Sequence, residues 1–275
     1  MAKADLAAFP MIIEFIGCTG AGKSTLIAKV QCKLTKSVEV TTSFNLVATL
    51  LGLSGVSHPT ARNLIQEVIG FPFFIGALHR DKAFVAYTLR MLARQANFTI
   101  FTINNLRSLE RKIGVYEIIR RYERDRIILV DEGTVHLAHN VFVYNSENYS
   151  LEEISEFVGL VPLPDIIVYV RAPIDNLIER SLQRADPPRE IKSKDRVQIE
   201  EYVKRAVGMF EQLVKTKKIR DRVLIVENPN FSDEGHERMA DHIAESILSY
   251  QPLGKLVSRQ IVAYSNRTES KPRVN

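Results

Sequence analysis

The chain has 275 residues, of which 45% are hydrophobic and 25% are charged, values typical of a globular protein with a sizeable core. Its net charge of +5 raises the question of a nucleic-acid partner. From residue 251 onward, however, five basic residues and one acidic residue give +4 of that total. The body is therefore close to neutral, which argues against a basic nucleic-acid-binding face and predicts a basic, flexible tail over 251–275.

Cysteine content and hydropathy predict the setting of the protein. Its two cysteines, Cys18 and Cys32, have no metal-ligating neighbours and are too few for a disulfide framework. Residues 1–10 lack the apolar core of a signal peptide, and no apolar run is long enough to span a bilayer. We expect a soluble cytoplasmic protein without membrane contact, and a homodimer remains open.

The first predicted elements surround a phosphate-binding motif. The apolar strand Met11–Ile16 is followed by GCTGAGKS at 17–24 and by a helix from about Gly22 to Leu34. This is the pattern G-x-x-x-x-G-K-[ST] between a strand and a helix, in which backbone N–H groups and the helix N-terminus surround a phosphate. The pattern predicts binding of ATP.

Individual residues of this loop have expected roles. Lys23 should reach the β- and γ-phosphates, and the Ser24 hydroxyl should bind Mg²⁺. The nucleotide-binding residues predicted here are Gly17, Thr19, Gly20, Ala21, Gly22, Lys23, Ser24 and Thr25.

A mostly helical block is predicted over residues 44–125. It follows a second strand at Val38–Thr42 and begins with an amphipathic helix from 57–59 that ends by 70–72, where Gly and Pro occur. Apolar stripes predict two further helices, around 84–92 and 106–122. We expect substrate contacts at the polar ends of this block, at Arg80, Arg90, Arg94 and Gln95.

Strands and helices alternate again in the second half of the chain. Continuous apolar runs predict strands buried on both faces, as in a parallel sheet. The predicted strands are Arg126–Val130, Asp165–Val170 and Val223–Val226, and the predicted helices are Pro173–Arg184, 195–215 and Asp233–Leu248. The fold class is therefore α/β: a three-layer P-loop NTPase domain over 1–250, with a five-stranded parallel sheet, helices on both faces and a helical insertion.

Two acids follow the third strand. Asp131 lies at the carboxyl end of a buried strand, where ligands bind in open α/β sheets, and it should anchor Mg²⁺ together with Ser24. Glu132 is a candidate general base. Because neighbours on a strand point to opposite faces, a structural role for Glu132 is equally open.

Paired arginines follow the fourth strand. Arg180 and Arg184 are four residues apart and would share a helical face. Facing a triphosphate, they would donate to oxygens that gain charge during phosphoryl transfer. We therefore expect both to be catalytic and Arg180 also to bind the nucleotide.

The phosphate loop, the strand-end Asp131, the segment PDIIVYV at 164–170, Pro173 and the arginine pair together resemble the nucleoside monophosphate kinase group. The similarity is greatest to thymidylate kinases and more distant to deoxynucleoside kinases. It implies that a lid-like segment over 180–195 closes on ATP and that the helical block of 44–125 binds the phosphoryl acceptor.

The chain departs from this group on the acceptor side. Thr19 and Ile16 stand where relatives carry acids, and Glu132 stands where many carry an arginine that steadies the acceptor phosphate. Glu14 is a candidate substitute for the missing acid. The acceptor is thus open: a nucleoside or nucleotide, a sugar or another metabolite. A nucleotide-dependent regulator of a partner protein is the alternative outside this class.

Overall fold

A computed structural model describes residues 10–50, 52, 59–94, 100–144, 149–184, 195–229 and 232–250 of the chain. The predicted basic tail over 251–275 and the expected contact residue Gln95 lie outside these residues, as does most of the predicted lid, 185–194. Within the described part, no helix is both long and apolar enough to cross a membrane.

Five parallel strands form one sheet, which confirms the predicted α/β architecture. They are β1 Met11–Ile16, β2 Val40–Thr42, β3 Ile127–Asp131, β4 Ile166–Arg171 and β5 Val223–Glu227. The spatial order is β2-β3-β1-β4-β5, so β1 is central. In the register, Phe15 pairs with Asp131 and Ile16 with Tyr169, which brings the carboxyl ends of β1, β3 and β4 to the same edge.

Helices cover both faces of this sheet, as the three-layer prediction requires. The first half contains α1 Lys23–Leu34, α2 Ser43–Leu50, α3 Pro59–Ala77, α4 Lys82–Ala93 and α5 Ile100–Tyr122. The second half contains α6 Leu137–His139, α7 Leu151–Leu160, α8 Ile174–Gln183, α9 Arg196–Lys215, α10 Lys217–Arg220 and α11 Asp233–Ser249.

Alternating side chains of the strands supply two buried cores. Ile13 and Leu129 belong to the larger one, which contains residues of α1 and α11 such as Leu26 and Ile243. Ile128, on the opposite side of β3, belongs to a smaller core with residues of α2 and α5. Because successive strand residues point to opposite faces, one sheet positions two separate sets of helices.

The second strand is shorter than predicted, and a helix follows it at once. The prediction was Val38–Thr42, whereas β2 begins at Val40 and leads directly into α2, which the sequence reading did not anticipate. The Thr42 hydroxyl accepts a hydrogen bond from the backbone N–H of Asn45 at 3.2 Å. This threonine thus caps the helix in the manner of Ser/Thr helix starts.

Helix α3 continues past the predicted stop. It was expected to end by 70–72, yet it runs to Ala77 with Pro72 inside it. A proline within a helix costs about 3 kcal/mol, and tertiary packing offsets that cost here. Gly70 lies against Gly114 of α5, where an added Cβ on Gly114 would be 2.4 Å from the Gly70 carbonyl oxygen. Ala77, beyond the proline, is fully buried.

Two further differences lie in the second half. No helix is predicted between 133 and 164, where the structure contains α6, a π-helical turn at Asn140–Tyr144 and α7. The start of α7 is a capping box between Ser150 and Glu153, a signal readable from sequence. Helix α8 ends at Gln183, so Arg184 has extended backbone and does not share a helical face with Arg180.

Candidate active site

The phosphate loop connects β1 to α1 in the conformation that its glycines permit. Gly17, Gly20 and Gly22 all have positive φ, at 143°, 84° and 95°. A Cβ on Gly17 would stand 2.5 Å from the carbonyl oxygen of Val170, so the loop also requires glycine for its approach to β4. Helix α1 is preceded by Gly22, which has no side chain that could cap it, so the helix N-terminus faces the phosphate loop without a side-chain cap.

Lys23 extends back along this loop and is only 6% exposed. Its Nζ donates to the carbonyl oxygens of Gly17 at 3.0 Å and Cys18 at 3.1 Å. The same ammonium lies 3.1 Å from Glu132 Oε1. These partners hold the cation at the loop, at the carboxyl edge of the sheet.

Ser24 and Asp131 meet beside the loop. The Ser24 hydroxyl donates to Asp131 Oδ2 at 2.8 Å, and both residues are exposed, as is Thr25. Although Asp131 as a whole residue is exposed, desolvation of its carboxyl group and the adjacent charge of Glu132 raise the pKa of that carboxyl. A hydroxyl and a carboxylate side by side are the small set of oxygen donors that Mg²⁺ takes from proteins in nucleotide sites, so these two residues fit the predicted ion.

Glu132 turns into the same site despite its neighbouring position in sequence. Strand β3 ends at Asp131, and Glu132 has a left-handed backbone with φ 59°. The expectation that neighbours point apart therefore fails at the point where the strand ends. Although burial opposes the charge, the contact with the His136 ring and the ammonium groups of Lys23 and Lys112 hold the pKa of the Glu132 carboxyl well below its ordinary value.

The two predicted arginines differ in placement. Arg180 lies beside the phosphate loop, since a Cβ added to Gly20 would be 3.6 Å from Arg180 Cβ. Partial burial and the nearby charge of Arg184 lower the pKa of the Arg180 guanidinium. Arg184 is exposed and follows the end of α8, just before residues outside the described part.

A cavity of about 700 Å³ opens next to Ser24, Asp131 and Glu132. It lies between α1, α2, α3, α5 and the end of β3, so it borders the helical block predicted for the acceptor. Its lining also includes Gln31, Phe44, Asn45, Gln66, Arg111, Lys112 and Tyr116. This volume is within the range of small-molecule sites.

Two cations of α5, Arg111 and Lys112, line this cavity. Lys112 is 7% exposed, and burial lowers its pKa to about 8. Burial likewise lowers the pKa of Arg111. Among the described residues, neither has a carboxylate within the 4.0 Å of an ion pair. Two poorly solvated cations without a bonded counter-ion indicate a place for an anionic group.

The three arginines at which substrate contacts are expected, Arg80, Arg90 and Arg94, all pair with acids of the protein. Arg80 pairs with Glu117 at 2.6 Å, Arg90 pairs with Glu156 at 2.7 Å, and Arg94 pairs with Glu153. These arginines connect helices to one another and do not line the cavity.

Glu14, the candidate substitute acid, has a structural position. Its carboxylate is fully buried and accepts hydrogen bonds from the Tyr116 hydroxyl at 2.6 Å and from the backbone N–H groups of Val135 and His136. Burial raises its pKa. Glu14 thereby fixes the segment after β3 and does not line the cavity.

Sequence reasoning also missed Asn228, which follows β5. Its Nδ2 donates to the Ala21 carbonyl oxygen at 2.8 Å and lies 3.2 Å from His236 Nε2. Asn228 thus links the loop after β5 to the phosphate loop. An asparagine at the carboxyl end of an apolar run was the available signal.

Lys112 was missed although its sequence position is informative. The apolar stripe of α5 contains Leu109, Ile113 and Tyr116, and Lys112 is three residues after the first and four before the last. That spacing places a lysine on the buried face of the helix. A charged residue on an apolar helical face is the pattern that should have marked it.

No model of a known protein family matches the chain, and no curated protein matches it. Among solved structures, it is similar to thymidylate kinase from Candida albicans, with 12% identity, a TM-score of 0.43 and coverage of 88% of this chain and 93% of that one. It is also similar to thymidylate kinase from Ehrlichia chaffeensis, with 14% identity, a TM-score of 0.43 and coverage of 87% and 98%. Shikimate kinase from Bacteroides thetaiotaomicron shows 11% identity, a TM-score of 0.40 and coverage of 86% and 98%. Similarity at this level assigns no activity, so function is inferred from the site alone.

Proposed function

We propose that this protein is a P-loop kinase that transfers the γ-phosphoryl group of ATP to a nucleotide acceptor in the cavity beside Ser24, Asp131 and Glu132. The observation on which the proposal depends is the position of the cavity. It opens directly beside Ser24, Asp131 and Glu132, so donor and acceptor sites share one wall. Phosphoryl transfer requires two substrates to lie next to each other, with the attacking and leaving oxygens in line.

On the donor side, the loop N–H groups and Lys23 bind the phosphates. Lys23 reaches them by exchanging its bonds to Gly17 and Cys18 for bonds to phosphate oxygens. Arg180, beside Gly20, adds a forked donor, and Arg184 joins it when the segment of 180–195 closes as a lid. Their positive charges then stabilise the negative charge that develops on the transferred phosphoryl group.

Ser24 and Asp131 hold Mg²⁺, which supplies charge neutralisation to the phosphate oxygens when it is bound. Asp131 would bind the ion as a carboxylate, since the charge of a metal favours the deprotonated ligand. Glu132 lies between the two sites, where its carboxylate can accept a hydrogen bond from a hydroxyl of the acceptor, while an ionised phosphate oxygen of a nucleotide needs no base to attack.

On the acceptor side, Arg111 and Lys112 bind an anionic group. This preference favours a nucleotide over a nucleoside or an uncharged sugar, because a neutral acceptor leaves both cations desolvated without compensation. The two cations also take over the role of the arginine that the resemblance leads one to expect where Glu132 stands.

The test is incubation with Mg²⁺–ATP and separate pools of nucleoside monophosphates, nucleosides, sugars and sugar acids. We expect ADP release that depends on an anionic acceptor, with the phosphorylated product detected by mass spectrometry. Transfer to nucleosides or neutral sugars would retain kinase activity but refute the anionic acceptor. Slow ADP release that is the same with and without every pool would instead identify a nucleotide-dependent regulator.

A further inference from the structure

The strained residue Glu132 is held from several sides. Among the described residues it is the one non-glycine residue with positive φ, a backbone conformation that is strained for a residue with a Cβ. Its backbone N–H donates to the Phe15 carbonyl oxygen at 3.3 Å. Its carboxylate faces Lys23 Nζ at 3.1 Å and His136 Nε2 at 3.5 Å.

His136 makes a second contact that parallels one of Lys23. Its Nε2 lies 3.3 Å from the Gly17 carbonyl oxygen, to which Lys23 Nζ also donates at 3.0 Å. The oxygens of Gly17 and Glu132 therefore each face both a lysine and an imidazole. Because both partners of Nε2 are acceptors, Nε2 is the ring nitrogen that bears the proton.

The His136 ring is fixed and uncharged. Its backbone N–H donates to Glu14 Oε1 at 2.8 Å, and its ring packs against His139 and Phe210, with centroids 5.2 Å and 5.5 Å away. Burial lowers its pKa well below the ordinary value. Its Nδ1 is buried without a hydrogen-bond partner, which is tolerable for a neutral acceptor but costly for the N–H of an imidazolium.

Lys23 and His136 thus differ in whether they can move away from these oxygens when a nucleotide binds. In the proposed reaction, Lys23 turns toward the phosphates and gives up donors now used by Gly17, Cys18 and Glu132. An ammonium has three donors, so every bond to phosphate is taken from these oxygens. The packed imidazole has no such alternative and stays with both Gly17 and Glu132.

We propose that His136 is a positioning residue, which keeps the Glu132 carboxylate and the Gly17 carbonyl in register when Lys23 engages the nucleotide. This inference rests on the proposed function. It predicts that His136 affects the transfer step and has little effect on binding of either substrate.

The kinetic test compares His136→Leu, which removes the donor, with His136→Gln, whose amide nitrogen can restore it. We expect His136→Leu to lower kcat about 10- to 100-fold, with both KM values within about twofold of wild type. His136→Gln should recover most of that loss. The matched control is His139→Leu, which removes a buried imidazole stacked on the same Phe210 and should retain kcat within about twofold.

Several outcomes would overturn the proposal. One is an unchanged kcat in His136→Leu. Another is an equal loss of kcat in the Leu and Gln variants with melting temperatures reduced in parallel, which would mean a packing role.

A second readout does not need the acceptor. In ¹⁵N spectra of the wild-type histidine rings, His136 should keep its proton on Nε2 after Mg²⁺ and a non-hydrolysable ATP analogue are added.

Movement of that proton to Nδ1, or ring mobility on nucleotide binding, contradicts the proposal even if no acceptor is found. Conversely, a wild-type protein that phosphorylates no acceptor refutes the proposed function, while the ring spectra still decide whether His136 stays with Gly17 and Glu132. The two failures are therefore distinguishable.

Discussion

The two sides of the site are built in different ways. The donor side is one continuous segment, in which glycine backbone and the start of α1 form the phosphate loop and the loop carbonyls hold Lys23. The proposed acceptor side is assembled from distant helices, and its cations Arg111 and Lys112 have no bonded counter-ion within the described part of the chain. A local sequence motif therefore indicates only the ligand that binds at the motif itself. Substrate choice depends on contacts that tertiary packing creates.

The substitution with the largest expected effect on activity is Lys23→Ala, on the donor side. We expect kcat to fall about 10²–10³-fold, because a cation directed at developing charge is lost. The melting temperature should stay near that of wild type, and Lys29→Ala, which removes a surface pair with Glu237, should retain activity. An active Lys23→Ala variant would show that the loop is not catalytic.

The corresponding change on the acceptor side is Lys112→Met. Loss of a charge-assisted contact worth about 1.5–3 kcal/mol should raise the acceptor KM by about 10- to 100-fold. The KM for ATP should hardly change. Because the folded protein no longer buries this charge, calorimetry should show an increase in stability on the order of 1–3 kcal/mol. A loss of stability with unchanged KM would mean that Lys112 is a structural residue.

Alkaline pH should weaken the acceptor side alone. Burial and the repulsion of Arg111 lower the pKa of Lys112 to about 8, against the attraction of Glu132, Glu14 and Asp131. The lysine loses its charge above that value, so the acceptor KM should rise between about pH 8 and 9.5, and Lys112→Met should lack this rise. A bound anion moves the transition upward.

Stability responds to the same group with the opposite sign. Between about 8 and the ordinary value of 10.5, the unfolded chain binds the Lys112 proton and the folded protein does not. The contribution of Lys112 to stability therefore rises with pH through this window. Denaturant titrations of wild type and Lys112→Met at pH 7.5 and 9.5 would measure it, and an equal pH response in both proteins would contradict it.

The smallest expected effects compare two helical glycines. Gly114→Ala introduces a Cβ that would lie 2.4 Å from the Gly70 carbonyl oxygen, so it should shift α5 relative to α3, destabilise the protein and raise the acceptor KM. Gly159 in α7 has no atom within 4 Å of an added Cβ, so Gly159→Ala should stabilise by about 0.5–1 kcal/mol without kinetic effect. Similar behaviour of the two variants would refute the importance of the α3–α5 crossing.

The difference between local motifs and contacts created by tertiary packing also decides which features are predictable from the sequence. The five strands and the phosphate loop follow from local patterns, namely apolar runs and a fixed glycine spacing. The continuation of α3 through Pro72 was not predictable, because it depends on a glycine of α5 far along the chain. Likewise, Glu132 could not be placed by strand alternation, since the strand ends one residue earlier.

Functional residues at the ends of strands were predictable, whereas those in irregular segments were not. Ser24 and Asp131 are 107 residues apart, and a strand-end rule was sufficient to predict that they meet. No such rule applied to His136, whose partners Gly17 and Glu132 depend on a buried turn anchored by Glu14. Side chains positioned by irregular segments require the structure.

The most direct test of the central claim uses ATP labelled on its γ-phosphate, with a nucleoside monophosphate pool as acceptor. The account predicts that wild type transfers the label to the acceptor, and that Lys112→Met does so at a similar kcat with an acceptor KM about 10- to 100-fold higher. Release of the label as inorganic phosphate at a rate that no acceptor changes, in both proteins, would contradict it.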